Sequence, residues 1–360
     1  MKKINNIGLL SLVFIVSVAC LWDNDTLEME ERQFPGTLEL ITGKFLRHSD
    51  EFHEWRIKDR IQRIELHPDS IKYYDDLAVS FSKLKRDKEA IEVMEKVEKL
   101  SPNRYETYAN MGTFYIHDGD LKTGIKYIDK ALEINPEAHF GRERYQKYLA
   151  EYLLTKQVDG KNELPLSLNS KGNFRDFLLQ KYNSTQNRDK TVLPKFEMEK
   201  AKKGVEGMMR FGNNNSPVLL EVLADIMNVS DYREATPRHL VALCFYNASK
   251  FSKSINANKR YIEKGNWVIN HVKIDGENWK KNRKSIVKDL NQKGDVFFQK
   301  IRQNEIAWIA DSTKNPEVEF AKLYYGKTIK VEKVVQDSLL NPDTLTKENS
   351  DPLLDAELAD

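Results

Sequence analysis

Residues 69–102 read DSIKYYDDLAVSFSKLKRDKEAIEVMEKVEKLSP, and residues 103–136 read NRYETYANMGTFYIHDGDLKTGIKYIDKALEINP. Both stretches are 34 residues long and end in proline, and Pro68 precedes Pro102 by the same interval. A fixed interval of this length is typical of helical hairpins that stack into an array, because each hairpin buries its apolar face only against its neighbours. The spacing therefore predicts a repeat architecture.

Apolar stripes predict two facing helices in each stretch. In residues 69–102 the first helix carries its stripe at i, i+3, i+4 and i+7, on Tyr74, Leu77, Ala78 and Phe81. The second helix carries its stripe at i, i+4 and i+7, on Ala90, Met94 and Val97. The corresponding residues of the second stretch are Tyr108, Met111, Gly112, Tyr115, Gly124, Ile128 and Ala131. Small residues at Ala78 and Gly112 are expected to let the paired helices approach closely.

These positions resemble the signature of the tetratricopeptide repeat over residues 69–138. The resemblance implies an all-α fold, a solenoid of helical hairpins whose concave groove holds an extended peptide or a helix of another protein. The groove-facing positions that it implies are Lys72, Asp75, Asp76, Val79, Glu106, Asn110 and Thr113. Asn110 stands where groove asparagines of the family often bond the backbone of a bound peptide.

After the array the sequence predicts a second, helical-repeat-like domain. The predicted boundaries are a tetratricopeptide array with flanking helices at 36–156, a linker region at 157–195, a helical domain at 196–335 and an acidic disordered tail at 336–360. Inside the second domain, one long amphipathic helix is expected over 278–310. Its stripe lies on Trp279, Ile286, Leu290, Phe297, Ile301 and Trp308. Either a partner helix or the domain's own core can cover this stripe, and the core is the favoured interpretation.

The first twenty residues indicate export. Met1–Cys20 combines Lys2 and Lys3 with an apolar run that is too short to span a bilayer, and it ends in Ala19-Cys20. This end resembles the lipobox of bacterial lipoproteins, with Ser17 as a departure from the usual branched aliphatic residue. The resemblance implies a signal peptide at 1–19, lipidation of Cys20 and a lipidated linker at 20–35.

The residues after Cys20 bear on the location of the protein. Leu21-Trp22-Asp23-Asn24-Asp25 resembles the export tag of surface lipoproteins of Bacteroidota, and the alternative interpretation is a polar linker. We therefore expect a protein that is anchored by its lipid to a membrane of the bacterial cell envelope. The outer membrane and the cell surface are both left open as its location.

The composition and the motifs of the chain argue against several functional classes. Lys plus Arg is 57 and Asp plus Glu is 55 among 360 residues, which gives no global attraction to nucleic acid. Apart from Cys20 the chain has one thiol, Cys244, within an apolar run where a small buried residue is expected. The seven histidines follow no metal-ligand spacing, and no nucleophile elbow or phosphate-binding glycine loop is found. The sequence thus suggests no catalytic residue, no metal and no cofactor.

The leading hypothesis is a non-catalytic scaffold of the cell envelope that binds other envelope proteins or peptides in the groove of its repeats. One alternative is a glycan-binding uptake lipoprotein, which needs exposed aromatic residues. Trp267 and Trp279 are the candidates, although helical spacing places both in cores. Another alternative is an enzyme in the C-terminal half whose site assembles from distant residues. The oligomeric state is left open.

Overall fold

The computed structural model describes residues 34–168, 171–228, 238–271 and 276–327. Within these ranges the chain is helical, apart from a short hairpin in which β1 (Gln157–Val158) pairs antiparallel with β2 (Lys161–Asn162). The predicted all-α fold class is confirmed. The predicted signal peptide at 1–19, Cys20 with most of the linker 20–35, and the acidic tail at 336–360 lie outside the described residues.

The helices follow one another with short connections. Those of the N-terminal half are α1 (Thr37–Thr42), α2 (Asp50–Leu66), α3 (Ile71–Lys83), α4 (Asp87–Leu100), α5 (Tyr105–Asp118), α6 (Leu121–Ile134) and, after a 3-10 turn at Ala138–Gly141, α7 (Arg142–Thr155). Those of the C-terminal half are α8 (Phe174–Gln186), α9 (Lys195–Met208), α10 (Pro217–Met227), α11 (Arg238–Phe251), α12 (Ile255–Asn270), α13 (Gly276–Ala310) and α14 (Pro316–Phe320). Single π-helical turns at Met209–Asn213 and Ala321–Tyr325 extend α9 and α14.

Helices α3 and α4 form one hairpin, and α5 and α6 form the next. Each predicted stripe residue of the first hairpin is buried, and Ala78, Ala90, Met94 and Val97 have essentially no exposed surface. The second hairpin turns at Gly119, whose φ of 97° is readily adopted only by glycine. Asp120 then begins α6, because its side chain accepts a hydrogen bond from the Thr123 amide at 3.0 Å.

Two glycines set the distance between α5 and α6. A Cβ atom on Gly112 would lie 2.5 Å from Cδ1 of Ile128, and one on Gly124 would lie 2.8 Å from the carbonyl oxygen of Gly112. A side chain at Gly124 would have to separate the two helices, and one at Gly112 would have to displace the Ile128 side chain or separate the helices. The close approach expected at Gly112 is therefore present, and the second glycine extends it to the facing helix.

A single hydrophobic core joins the two halves of the chain. It contains Tyr145 and Leu149 of α7, Val205 of α9 and Leu219 of α10, together with Leu40 of α1. The stretch 157–195, expected to be a linker, contributes to it as well, because α8 buries Phe174 and Leu178 there. The linker expectation is corrected: polar residues mark the ends of this stretch, and its middle is a packed helix.

Helix α1 is held by side chains of the C-terminal half. Asn247 of α11 donates from Nδ2 to the carbonyl oxygen of Ile41 at 2.9 Å, and Asn214 donates to that of Leu40 at 3.4 Å. The hydroxyl of Thr37 donates to Glu206 of α9 at 2.5 Å. These bonds satisfy backbone carbonyls at the end of a helix that is too short to be stable alone. The fold of the N-terminal segment therefore depends on residues that follow it by more than 160 positions.

The long helix α13 packs on the chain's own core through its predicted stripe. Trp279, Ile301 and Trp308 are buried, and Ile286, Leu290 and Phe297 are half-buried. Outside the stripe the helix carries exposed lysines, namely Lys280, Lys281, Lys284, Lys288, Lys293 and Lys300. No helix within the described ranges has the length and apolar character needed to cross a membrane.

The far end of α13 returns to the beginning of α2. Glu305 is fully buried and accepts hydrogen bonds from the Ser49 amide at 2.9 Å and from Nδ1 of His48 at 2.6 Å. A carboxylate at a helix N-terminus is favourable, because it meets unpaired amides and the positive end of the helix dipole. The ring of His48 also stacks on Phe52 of α2 and contacts Phe320 of α14. The C-terminal helices thus close against the first helices of the array.

We predict that Gly294→Ala destabilises the protein. A Cβ atom at this position would lie 1.9 Å from the carbonyl oxygen of Thr42, so α13 and α1 would have to separate. The expected loss in the free energy of unfolding is about 2 kcal/mol or more, measured by urea denaturation. By helix propensity alone, replacing glycine with alanine would stabilise α13 by about 1 kcal/mol. An unchanged or raised stability would therefore contradict the close contact between α13 and α1. Lys293→Ala, at the exposed neighbouring position, is the control and should change stability by less than about 0.5 kcal/mol.

Candidate functional site

The seven predicted groove positions fall into two groups in the structure. Asp75, Asp76, Val79, Asn110 and Thr113 are buried. Lys72 and Glu106, at the N-terminal ends of α3 and α5, keep part of their surface exposed. The expectation of an accessible groove at the first five positions is corrected, because side chains of neighbouring helices already contact them.

Asp75 is bound by the arginine that begins the second repeat. Arg104 donates from Nη2 and Nη1 to the two carboxylate oxygens at 2.9 and 3.3 Å, a bidentate geometry that fixes both partners. Burial raises the pKa of Asp75 to about 6, although Arg104 acts in the opposite direction. This pair ties α3 to the start of α5 and leaves Asp75 no role as a freely exposed acceptor.

Asp76 belongs to a buried ionic network that reaches the C-terminal helices. Its carboxylate accepts from Nε of Arg60 at 2.8 Å and lies 3.2 Å from Nη2 of Arg56. Both arginines, from α2, also pair with Glu317 of α14; the Arg56 Nε to Glu317 Oε1 distance is 3.0 Å. The pKa of Arg60 is raised, because Glu317 and Asp76 outweigh the effect of its burial. A residue expected to meet a partner therefore links the first repeat to α14.

Asn110 and Thr113 are enclosed on α5. The Nδ2 group of Asn110 lies 4.0 Å from the sulfur of Met94, and the Thr113 hydroxyl donates to the carbonyl oxygen of Ala109 at 3.0 Å. Gln146 of α7 donates to the Thr113 hydroxyl oxygen at 3.0 Å. Because α7 continues the stack directly, it contacts the positions that a bound peptide would need.

The surface that stays open lies at the N-terminal ends of α3 and α5. We call it the repeat rim and define it as Lys72, Tyr73, Arg104 and Glu106, all partly exposed. Arg104 stands between the two helices, since it binds Asp75 of α3 and lies 3.6 Å from Glu106 of α5. Tyr73 adds an aromatic ring, with Lys72 Nζ 5.4 Å from the ring centroid. The rim combines both signs of charge with one aromatic group.

The stacked hairpins define the class as an all-α helical-repeat protein. Residues 71–104 and 105–137 match the family model described as "Tetratricopeptide repeat", so the two central hairpins are tetratricopeptide repeats. No curated protein and no solved structure matches the chain. Repeats of this kind commonly mediate protein–protein interaction, which is the functional class that the match supports.

A second polar cluster, not among the predicted site residues, lies between α10 and α12. Glu221 is fully buried and accepts from the amides of Leu166 and Ser167, from the Tyr261 hydroxyl at 2.7 Å and from Lys264 Nζ at 3.0 Å. The signal in the sequence was two carboxylates, Glu221 and Asp225, inside the otherwise apolar run PVLLEVLADIM. Since Glu221 binds backbone amides of the segment before α8, the cluster anchors that segment.

The remaining candidate residues are placed as follows. Cys244 is buried, and its burial raises the pKa of the thiol, which disfavours the reactive thiolate. Trp279 is buried as expected and stacks on His239, but Trp267 is 54% exposed, which corrects its expected place in a core. Within the described ranges no group of three His, Cys, Asp or Glu side chains could hold a metal ion.

We predict that Asp225→Asn changes how stability depends on pH. Burial, with a contribution from Glu221, raises the pKa of Asp225 to about 7, although Lys264 opposes the shift. A carboxyl group whose pKa is raised on folding contributes stability below about pH 4, and this contribution is lost as the pH rises through about 7. As the pH rises from 4 to 8, the free energy of unfolding of the variant should therefore increase by roughly 1 to 3 kcal/mol relative to that of the wild type. The measurement is urea denaturation at each pH.

The matched control for this experiment is Asp118→Asn, which removes an exposed carboxylate from α5. Its stability should follow the wild-type curve across the same pH range. A difference between Asp225→Asn and the wild type that is constant with pH would contradict the titration assigned to Asp225.

Proposed function

We propose that this protein is a non-catalytic scaffold of the bacterial cell envelope, anchored by lipid on Cys20, that binds a protein partner at the repeat rim. One observation carries the proposal. Two tetratricopeptide repeats are present, and five of the seven predicted groove side chains are buried, so Lys72 and Glu106 are the predicted groove positions that stay open. We therefore place the partner contact at the edge of the groove and not in its interior.

The chemistry of the rim suits a polar segment of another protein. Lys72 and Glu106 supply one charge of each sign, and Arg104 keeps part of its guanidinium exposed although Asp75 binds it. Tyr73 offers an amphipathic ring of the kind that is enriched at protein interfaces. Opposite charges at fixed positions orient a partner and reject one with the reverse pattern.

The lipid anchor is supported by the sequence of the leader. About 13 residues separate Cys20 from Phe34, which limits the body to roughly 45 Å from the lipidated cysteine. The guanidinium carbon of Arg210 lies 5.0 Å from the centroid of the Phe34 ring. Helix α1 begins three residues after Phe34. A tether that enters a packed helix is suited to holding the array close to a membrane.

We predict that reversing the two rim charges abolishes partner capture. The double variant Lys72→Glu, Glu106→Lys keeps the net charge but inverts the pattern, so a complementary partner meets like charges. The measurement is crosslinking and affinity purification from intact producing cells. The amount of each specific partner that is recovered should fall at least tenfold. The matched control is Lys96→Glu, Glu133→Lys, which inverts exposed charges on the second helices α4 and α6. Equal capture by both variants would exclude the rim as the binding surface.

We also predict that Cys20→Ala releases the protein from the membrane. Without the thiol no lipid can be attached, so the chain should move from the detergent-rich to the aqueous phase of a Triton X-114 separation. Incorporation of an alkyne-bearing fatty acid should be lost at the same time. The matched control is Cys244→Ala, which removes the buried thiol and should keep the label. Fatty-acid labelling that persists in Cys20→Ala would contradict the anchor.

A further inference from the structure

A basic cleft lies between α11, α12 and α13, away from the repeat rim. Its volume is about 630 Å³. Cationic side chains stand around it, namely Lys250, Arg283, Lys284 and Lys288, and Asp295 is the acidic residue in its lining. Asp295 is 3.9 Å from Lys250, whereas Lys284 and Lys288 have no acidic partner among the described side chains. The cleft therefore carries an excess of positive charge.

The floor of the cleft is apolar and firmly placed. Tyr246 packs directly over Gly265, where a Cβ atom would come within 2.5 Å of the tyrosine ring. Ile262 remains 37% exposed and Val287 is half-buried, so apolar surface is available inside a cationic border. Arg283 is fixed over the Tyr246 ring at 5.2 Å from its centroid and donates to Asn266. Such a cleft fits a segment that combines leucines with carboxylates.

The chain contains a segment of this composition. Residues 350–360 read SDPLLDAELAD and hold no lysine or arginine. Their carboxylates are Asp351, Asp355, Glu357 and Asp360, and their apolar side chains include Leu353, Leu354 and Leu358. The charge and the apolar content of this segment complement those of the cleft.

The connection between the two has a suitable length. The described chain ends at Lys327, and the neighbouring Tyr324 accepts a hydrogen bond from Asn304 of α13 at 2.8 Å. From Asn304 back to the cleft residues 284–295, the helix rises about 14 to 30 Å. The 22 residues 328–349 separate Lys327 from Ser350, and a flexible chain of that length has a root-mean-square span of about 26 Å. Matching spans give an effective concentration in the millimolar range, so weak contacts suffice for binding within one molecule.

We propose that residues 350–360 bind in the basic cleft of their own chain, with carboxylates on Lys284 and Lys288 and leucines on the Tyr246–Ile262 floor. The cleft is then an internal docking site, and an acidic segment of a partner would have to compete with this segment. Binding weakens as salt increases, because the charged border is open to solvent.

Lysine footprinting of the full-length protein tests the proposal. An amine-acetylating reagent is applied briefly, and the rate of modification at Lys284, Lys288 and Lys300 is read by mass spectrometry. The test variant carries Asp351→Asn, Asp355→Asn, Glu357→Gln and Asp360→Asn. The matched control neutralises four acids that precede the segment, through Glu332→Gln, Asp337→Asn, Asp343→Asn and Glu348→Gln.

The test variant should be acetylated at least about threefold faster than the wild type at Lys284 and Lys288. Lys300, exposed on the same helix outside the cleft, should not change, and the control variant should behave like the wild type. Equal rates in the wild type and the test variant overturn the proposal, as does an equal increase in the control variant. Protection that disappears on dilution assigns the segment to a second copy and overturns binding within one chain. These substitutions leave the repeat rim intact, so failure here is separate from failure of partner capture.

Discussion

The enclosure of helix α1 by the C-terminal half is the contact on which the rest of the structure depends. Leu40 and Ile41 are buried in the shared core, and Asn214 and Asn247 bind the two carbonyl groups of these residues. At Gly294 the backbones of α13 and α1 approach so closely that no side chain fits. The beginning of the chain is therefore enclosed by its C-terminal half, and helix α1 buries Leu40 and Ile41 only in the core that the two halves share.

Contact with the C-terminal helices also accounts for the burial of one groove residue, Asp76. Arg56 and Arg60 are buried, and a buried guanidinium is costly unless carboxylates surround it. Asp76 from the first repeat and Glu317 from α14 supply those carboxylates. Asp76 occupies a predicted groove position, but its carboxylate instead joins the first repeat, through Arg56 and Arg60, to α14.

The repeat rim and the basic cleft differ in chemistry. The repeat rim mixes both signs of charge with an aromatic ring, which favours recognition of a patterned polar segment. The cleft between α11, α12 and α13 is dominated by cations over an apolar floor, which favours an acidic segment with leucines. Since the two surfaces are built by different helices, the proposed partner contact at the rim and the proposed docking of residues 350–360 in the cleft do not exclude each other.

The sequence alone determined the helical hairpins. The 34-residue interval and the stripes of Tyr74, Leu77 and Phe81 are local patterns, and each stripe is buried where its spacing predicts. The close approach of α5 and α6 at Gly112 could also be predicted from the sequence, because close helix packing requires a small residue. Tertiary structure alone decided which polar residues stay accessible. The partners of Asp76 stand 16 and 20 positions before it on α2, and Glu317 follows it by more than 200 residues, so no local pattern records the ionic network. Burial of a polar side chain depends on what packs against it, and a periodic sequence specifies the face of a helix without specifying the neighbour that covers it.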